Sequence, residues 1–467
     1  MATAKTAKTQ LAVLGGGPGG YAAAFAAADR GLDVTLIDPA PNPGGVCLYR
    51  GCIPSKALLH AAHTVREAAD AEAYGLSFAK PTVDLDRLRA WKATIIDTLT
   101  GDLGKQVTQK KVTHLRGLGR FIDAGTLSVT ADAGETRLSF EHAIVATGSV
   151  PVRLPGQPDD PRIMDSTGAL DLTDLPGSLL VVGGGYIGLE LGSVYAALGT
   201  PVTIVEMTGG LLPGVDRDLV SVLQRKLKRD LAEIRLNTKV AAMTPGAKGV
   251  DVTLSGKEGD ESRHFDRVLV AVGRRPAARD LGLEAVGVEL DARGFIPVDA
   301  QRRTAAQGIY AIGDVAGEPM LAHKATHEAW TAVEAITGDK AAAFAPKAIP
   351  AVVFTDPEIA WCGLTETAAR EAGIKVKTAK LPWRASGRAL TLNRDEGLTK
   401  LLVDPDTDRV LGVGLAGPGA GELIAEGVLA VEMAARVEDL RESIHAHPTL
   451  SELLGEAADR LYTPPKA

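Results

Sequence analysis

The chain holds only three cysteines in 467 residues, and two of them, Cys47 and Cys52, stand five positions apart inside GGVCLYRGCIPSK. A close pair of thiols can form a redox-active disulfide, ligate a metal or simply be buried. In a regular α-helix this spacing offsets the side chains by about 140° and about 7.5 Å along the axis. An unstrained disulfide needs Cα atoms about 4.4–6.8 Å apart, so a bridge here requires an irregular helix start. Gly51 and Pro54 suit such a start, because proline is tolerated in a first helical turn. A bridge so placed is expected to be strained, partly exposed and reducible, as thiol–disulfide exchange requires. The metal reading would recruit His60 and His63, in a spacing unlike the usual zinc patterns. The third reading makes the pair ordinary core thiols. Cys362, in the apolar stretch EIAWCGL, is expected to be buried and inert.

A second candidate lies near the C-terminus, in HAHPTLSE. A dithiol attacks a disulfide only as a thiolate, so such chemistry needs a base nearby. A histidine such as His447 is the residue type suited to this, and Glu452 could orient its ring and stabilise its charge. Taken alone, the segment reads equally well as a histidine-bearing surface turn.

These residues need elements to hold them, and the chain contains one such unit twice. LAVL (Leu11–Leu14) ends on glycines, and an alanine-rich helical stretch, VTLI and Asp38 follow. LLVV (Leu179–Val182) ends on GGGYIG, and a helical stretch, VTIV and Glu206 follow. The same interval separates Gly15 from Asp38 and Gly183 from Glu206. Each copy reads as strand, glycine turn, helix, strand, acid. The first glycine permits a tight turn, the second lets the backbone approach a pyrophosphate, and the third lets helix and strand pack closely. The diphosphate then sits at a helix N-terminus, and the acid accepts hydrogen bonds from a ribose. Two copies imply two dinucleotides. An acid at the end of the second unit repels a 2′-phosphate, so that site is expected to take NAD rather than NADP.

Composition agrees. Hydrophobic residues make up 45% of the chain and charged residues 23%, which describes a globular protein with ample core. The net charge of −7, from 51 basic and 58 acidic residues, suggests no nucleic-acid partner. No apolar run approaches a membrane span, the start MATAKTAKTQ does not read as a signal peptide, and a cytoplasmic location is expected. There thiols stay reduced, so a close cysteine pair favours catalysis or metal binding over a structural staple. The expected fold is α/β: two Rossmann-like dinucleotide-binding domains and a C-terminal α+β dimerisation domain. Boundaries are placed at 1–152, 153–276, 277–345 (completing the first domain) and 346–467.

The motifs GGGPGG, GGVCLYRGCIPSK, ATGS, GGGYIGLELG, VGRRP, AIGDV, PMLAHKA and HAHPTLSE occur in this order over essentially the whole chain, and together they resemble the pyridine nucleotide–disulfide oxidoreductases. One departure from the family pattern is Tyr49-Arg50, between the cysteines. The resemblance implies that the first unit binds FAD through Gly15, Gly17, Gly20, Asp38, Lys56, Gly148, Asp314, Met320, Ala322 and His323. It implies that the second binds NAD through Gly183, Gly185, Gly188, Glu190, Glu206, Gly273 and Arg275, with Lys56 and Glu190 paired. It makes Cys47 and Cys52 a redox disulfide with Cys52 nearer the flavin. It supplies His447 and Glu452 from the partner subunit of a homodimer, gives His445 only a structural role, and places no metal. The activity implied is oxidation of dihydrolipoyl groups to lipoyl, on the lipoyl-bearing acyltransferase component of a 2-oxoacid dehydrogenase complex. The nearest rival in the family is the reduction of glutathione disulfide, whose enzymes usually show CVPKK-like residues and arginines after the second unit, where this chain has CIPSK and VEMTGG.

Overall fold

The two repeated segments fold alike. In the first, strands Thr113–Leu115, Val34–Ile37, Lys5–Leu14 and Gly134–Val145 lie side by side in that order, all parallel. In the second, Glu233–Leu236, Val202–Glu206, Leu179–Val182 and Arg267–Val270 repeat that order, again all parallel. Val34–Ile37 and Leu179–Val182 are buried at every position, as parallel strands covered on both faces must be. The helices Pro18–Asp29 and Tyr186–Ala197 make the crossovers. The architecture is a computed structural model that describes residues 5–132 and 134–464.

The chain divides into two compact units. The first comprises the described residues of 1–57, 84–152 and 273–345. Its sheet reaches seven strands, because the edge of Gly134–Val145 away from Lys5–Leu14 pairs with Ile309–Ala311 at its C-terminal end and with the antiparallel Thr126–Ala131 at its N-terminal end, beyond which lies Leu118–Asp123. The helix Pro18–Asp29 packs its alanines against the helix Ala322–Ile336 in a core that includes Leu11, Val13, Ile144 and Val333.

The second unit comprises 58–83, 153–272 and the described residues of 346–467. Beside its parallel sheet it carries a three-stranded antiparallel sheet, Lys239–Pro245, Val250–Gly256 and Gly259–Phe265. Its C-terminal part is a five-stranded sheet in the order Ala351–Val353, Glu358–Gly363, Val410–Gly417, Leu398–Val403, Lys377–Pro382. The helices Ala420–Glu432 and Glu452–Asp459 cover that sheet. Fully buried Trp383 and Leu401, with Ile424 and Leu453, fill the layer between them. This is the α+β arrangement expected of the C-terminal segment. Cys362 lies in Glu358–Gly363 at 1% exposure, and burial pushes its thiol up to about 12.

Candidate active site and dinucleotide cradles

The glycine turns show why no other residue serves there. Gly15 and Gly183 have φ of +103° and +110°, and a Cβ on either would stand 2.4 Å from a backbone oxygen, that of Ala146 or Ala271. A Cβ on Gly20 would lie 1.7 Å from the Gly15 oxygen, and one on Gly188 would lie 2.2 Å from the Gly183 oxygen. Gly17 and Gly185 are the N-caps of the two crossover helices, and neither helix has a side-chain cap. A Cβ on Gly185 would meet nothing within 4 Å, and one on Gly17 only the Cα of Gly45 at 3.9 Å. Each helix thus starts on an N-cap glycine with no side-chain cap and with room beside it, the condition an anion at a helix start exploits. Pro18 at the head of the first helix lacks an N–H that would have been unpaired anyway. A Gly20→Ala variant is expected to shift this turn and to purify with little bound flavin, read as lost visible absorbance, while NADH still binds the second unit.

Both acids are held alike. Asp38 accepts from Gly16 N at 2.6 Å and Ala40 N at 2.9 Å. Glu206, 7% exposed, accepts from Gly184 N and Thr208 N, each at 2.7 Å. The backbone amides fix each carboxylate beside its glycine turn, which suits an acceptor for ribose hydroxyls. The chemistry of the donor set fits a dinucleotide in each cradle.

In the first unit, Gly148 has φ +73° and open space about it. Asp314 sits in a short turn after Ile309–Ala311. Its carboxylate accepts from the Ser149 hydroxyl at 2.5 Å, and that hydroxyl accepts from Arg274 Nε at 2.7 Å. The turn itself is pinned by Glu328, fully buried, which accepts from Gly313 N at 2.6 Å and pairs with Arg302 and Lys324, each at 2.9 Å. Met320 and His323 flank Ala322, which opens the helix carrying Glu328. Sequence reasoning missed Ser149, Arg274 and Glu328. Arg275, expected at the second dinucleotide, is exposed, and its half-buried neighbour Arg274 is the one that bonds Ser149. Neighbouring strand residues face opposite ways, and only the pairing of Arg274 with Pro151 reveals which one turns inward.

The cysteines flank a break between two helices. Gly45–Arg50 ends and Cys52–Asp70 begins on either side of Gly51, whose φ of −146° and ψ of −113° are not helical. A Cβ on Gly51 would stand 2.8 Å from the Val46 oxygen, so the break requires glycine. It brings the Cys47 thiol within hydrogen-bonding reach of Cys52. The Cys47 thiol is pushed far above the ordinary range, first by hydrogen bonding to Cys52, then by burial and by the charge of Cys52, with Lys56 opposing. The pair therefore carries one negative charge more readily than two. Tyr21, on the helix that follows the first glycine turn, is raised by burial and by both cysteines. Tyr49, the departure from the family pattern, donates its hydroxyl to Asn42 O at 3.0 Å and closes the turn before the first cysteine. Lys56 donates to Ser55 Oγ at 3.2 Å. Among the described residues, Cys47, Cys52, His60 and His63 do not form a cluster whose ligand atoms could share an ion.

In the second unit, Glu190 is 3% exposed and accepts from Phe354 N at 3.0 Å. Gly273, in the first unit with φ +122°, accepts from Val152 N. His447 Nδ1 meets Glu452 Oε1 at 2.8 Å, and the other carboxylate oxygen accepts from Thr449 N at 2.8 Å. The Thr449 amide first and His447 second hold the Glu452 carboxyl below the usual range. With Nδ1 engaged and the imidazole 80% exposed, Nε2 is left to exchange a proton. His445 pairs separately with Glu426 at 2.7 Å.

Comparison with known proteins agrees. Residues 9–329 match the model of the pyridine nucleotide-disulphide oxidoreductase family, and residues 349–458 match its dimerisation domain. Dihydrolipoyl dehydrogenases of Vibrio cholerae and Thermus scotoductus are 46% and 48% identical to the chain, covering 97% of it and 96% and 97% of their own lengths. Among solved structures, LpdA from Mycobacterium tuberculosis superposes with a TM-score of 0.90 at 31% identity, over 97% of this chain and all of that one. The flavoprotein disulfide reductase RclA from Escherichia coli gives 0.86 at 29%, again over 97% of this chain and all of its own. The chain belongs to the pyridine nucleotide–disulphide oxidoreductases.

Proposed function

We propose that the chain oxidises dihydrolipoyl groups to lipoyl, with FAD as bound cofactor and NAD as acceptor, as the common component of 2-oxoacid dehydrogenase complexes. The observation that carries this is the contact between the Cys47 and Cys52 thiols across the Gly51 break, in the unit that holds the first dinucleotide cradle. The relatives named dihydrolipoyl dehydrogenase support the substrate class over glutathione disulfide.

In the oxidised enzyme, one substrate thiolate attacks Cys47 of the Cys47–Cys52 disulfide. A substrate–Cys47 disulfide forms and Cys52 leaves as a thiolate. The second substrate sulfur then attacks the first, so lipoyl departs and Cys47 is released as the second sulfur. His447 Nε2 takes the proton of the first attacking thiol and Glu452 stabilises the resulting imidazolium, while the proton of the second substrate thiol goes to the Cys47 sulfur that it displaces. When bound, FAD supplies the two-electron path from the protein dithiol to NAD. Cys47 and Cys52 provide the sulfurs, Asp38 and Glu206 orient the two dinucleotides, and the Ser149-held Asp314 fixes the ribityl end. His447 and Glu452 reach the cysteines of a second copy, so the working enzyme is a homodimer. It works in the cytoplasm; among the described residues no helix is long and apolar enough to cross a membrane.

The test sets dihydrolipoamide plus NAD against glutathione disulfide plus NADPH, with the purified yellow protein. NADH formation in the first assay and no turnover in the second is the expected result. The reverse pattern would move the chain to the glutathione branch and remove the role given to Glu206.

A further inference from the structure

Between Glu206 and the helix Arg217–Asp230 runs a loop that the dinucleotide motif does not explain. Leu212 within it has φ +49°, a left-handed conformation that strains a non-glycine residue, and it is only 3% exposed. Its N–H donates to Gly184 O at 2.9 Å, so the loop is bonded directly to the glycine turn whose next link is Gly184 N to Glu206.

Two cations hold the far end. The Arg217 guanidinium donates to the carbonyls of Leu211 at 2.7 Å, Leu212 at 2.5 Å and Val215 at 3.0 Å. Asp216, beside it, meets Lys400 Nζ at 2.8 Å, and the same ammonium meets Asp218 and Glu366, each at 2.6 Å. Lys400 is fully buried, and the three carboxylates lie within 4.8 Å of one another, so the ammonium stands where a free cation would otherwise be drawn. Its three donors meet three acceptors. Asp216 also accepts from Glu366 N and Thr367 N at 3.1 Å. The strained segment is thus bonded to the glycine turn at one end and to a fixed charge network at the other.

We propose that Arg217, with Lys400 behind it, is a positioning residue for NAD: it holds the loop in its strained form and thereby sets Gly184 and Glu206 for the adenosine–diphosphate half of the coenzyme. This rests on the reading of the second cradle as an NAD site. A preformed loop saves the coenzyme the ordering that binding would otherwise require.

The test is Arg217→Lys in the full-length holoenzyme. Lysine keeps the charge and loses the planar fork that serves three carbonyls. NADH binding, followed by titration, is expected to weaken about tenfold, the equivalent of about 1.4 kcal/mol. Flavin content and the KM for dihydrolipoamide are expected to stay at wild-type values. Lys400→Met should weaken NADH binding in the same direction; if that variant does not fold, Arg217→Lys decides alone. Equal NADH affinity in Arg217→Lys and wild type would overturn the inference. So would a loss of flavin or a matching rise in the dihydrolipoamide KM, because the role would then be general support of the fold. A wild-type protein that binds no NADH would overturn the NAD reading itself and this inference with it, and that outcome is recognised without any variant.

Discussion

Cys52→Ser is expected to abolish dihydrolipoamide oxidation, lowering turnover by at least about a thousandfold, the scale on which removal of a covalent nucleophile acts. A serine oxygen cannot form the sulfur–sulfur bond whose exchange carries the reaction. The change is otherwise small, since Cys52 begins a helix at an exposed position and serine is accepted at helix starts. Flavin content and NADH binding should therefore survive. Reduction of an artificial dye by NADH, which needs the flavin but no disulfide, should continue. With Cys52 gone, the Cys47 thiol loses the first cause of its raised pKa, and a thiol-alkylating reagent should label it faster at neutral pH. Retained dihydrolipoamide turnover in the variant would mean that the pair is not the redox centre. Joint loss of turnover and dye reduction would mean instead that the substitution had damaged the flavin site.

The sequence makes this site legible where the chemistry is local. The turns at Gly15 and Gly183 need positive φ, and Gly20 and Gly188 touch the backbone of those turns. Those demands reach only a few residues along the chain, so the motif announces them, and the repeated strand order follows from two repeated patterns. The helix break was legible for the same reason: a bridge across five positions cannot form in a regular helix, and the break falls at Gly51 itself.

Contacts made across long chain separations were not legible. Ser149 stands in ATGS and Arg274 in VGRRP, and both motifs are plain in the sequence, yet nothing there shows that their side chains meet at Asp314. Glu328 reads as a charge on an amphipathic helix until the fold places Arg302, Lys324 and Gly313 N around it. Lys400 is plainer still. It stands in the strand Leu398–Val403, where alternation would turn a lysine to solvent, and it is fully buried because carboxylates from two other segments converge on it. Burying such a charge is costly unless each donor is met, and the partners that meet it are fixed by tertiary structure alone.

His447→Gln is expected to lower dihydrolipoamide oxidation by about a hundred- to ten-thousandfold, the range a positioned general base supplies. Glutamine cannot take that proton, so turnover with dihydrolipoamide should fall while dye reduction by NADH, which needs no thiol deprotonation, continues. Glu452→Gln should cost less, because a neutral amide can still bond the ring but stabilises the imidazolium poorly. The proposed homodimer makes a sharper claim. A heterodimer of one Cys47→Ser subunit and one His447→Gln subunit, isolated by two different tags, has one site that lacks both groups and one that keeps both. If His447 serves the other chain's cysteines, that mixed dimer should recover about half of the wild-type activity from two nearly dead parents, as two-fold symmetry requires. If each chain served its own cysteines, both sites would lack one group and activity would stay at the parental level. Recovery would place the acid–base pair and the dithiol on different subunits, which neither single variant can do.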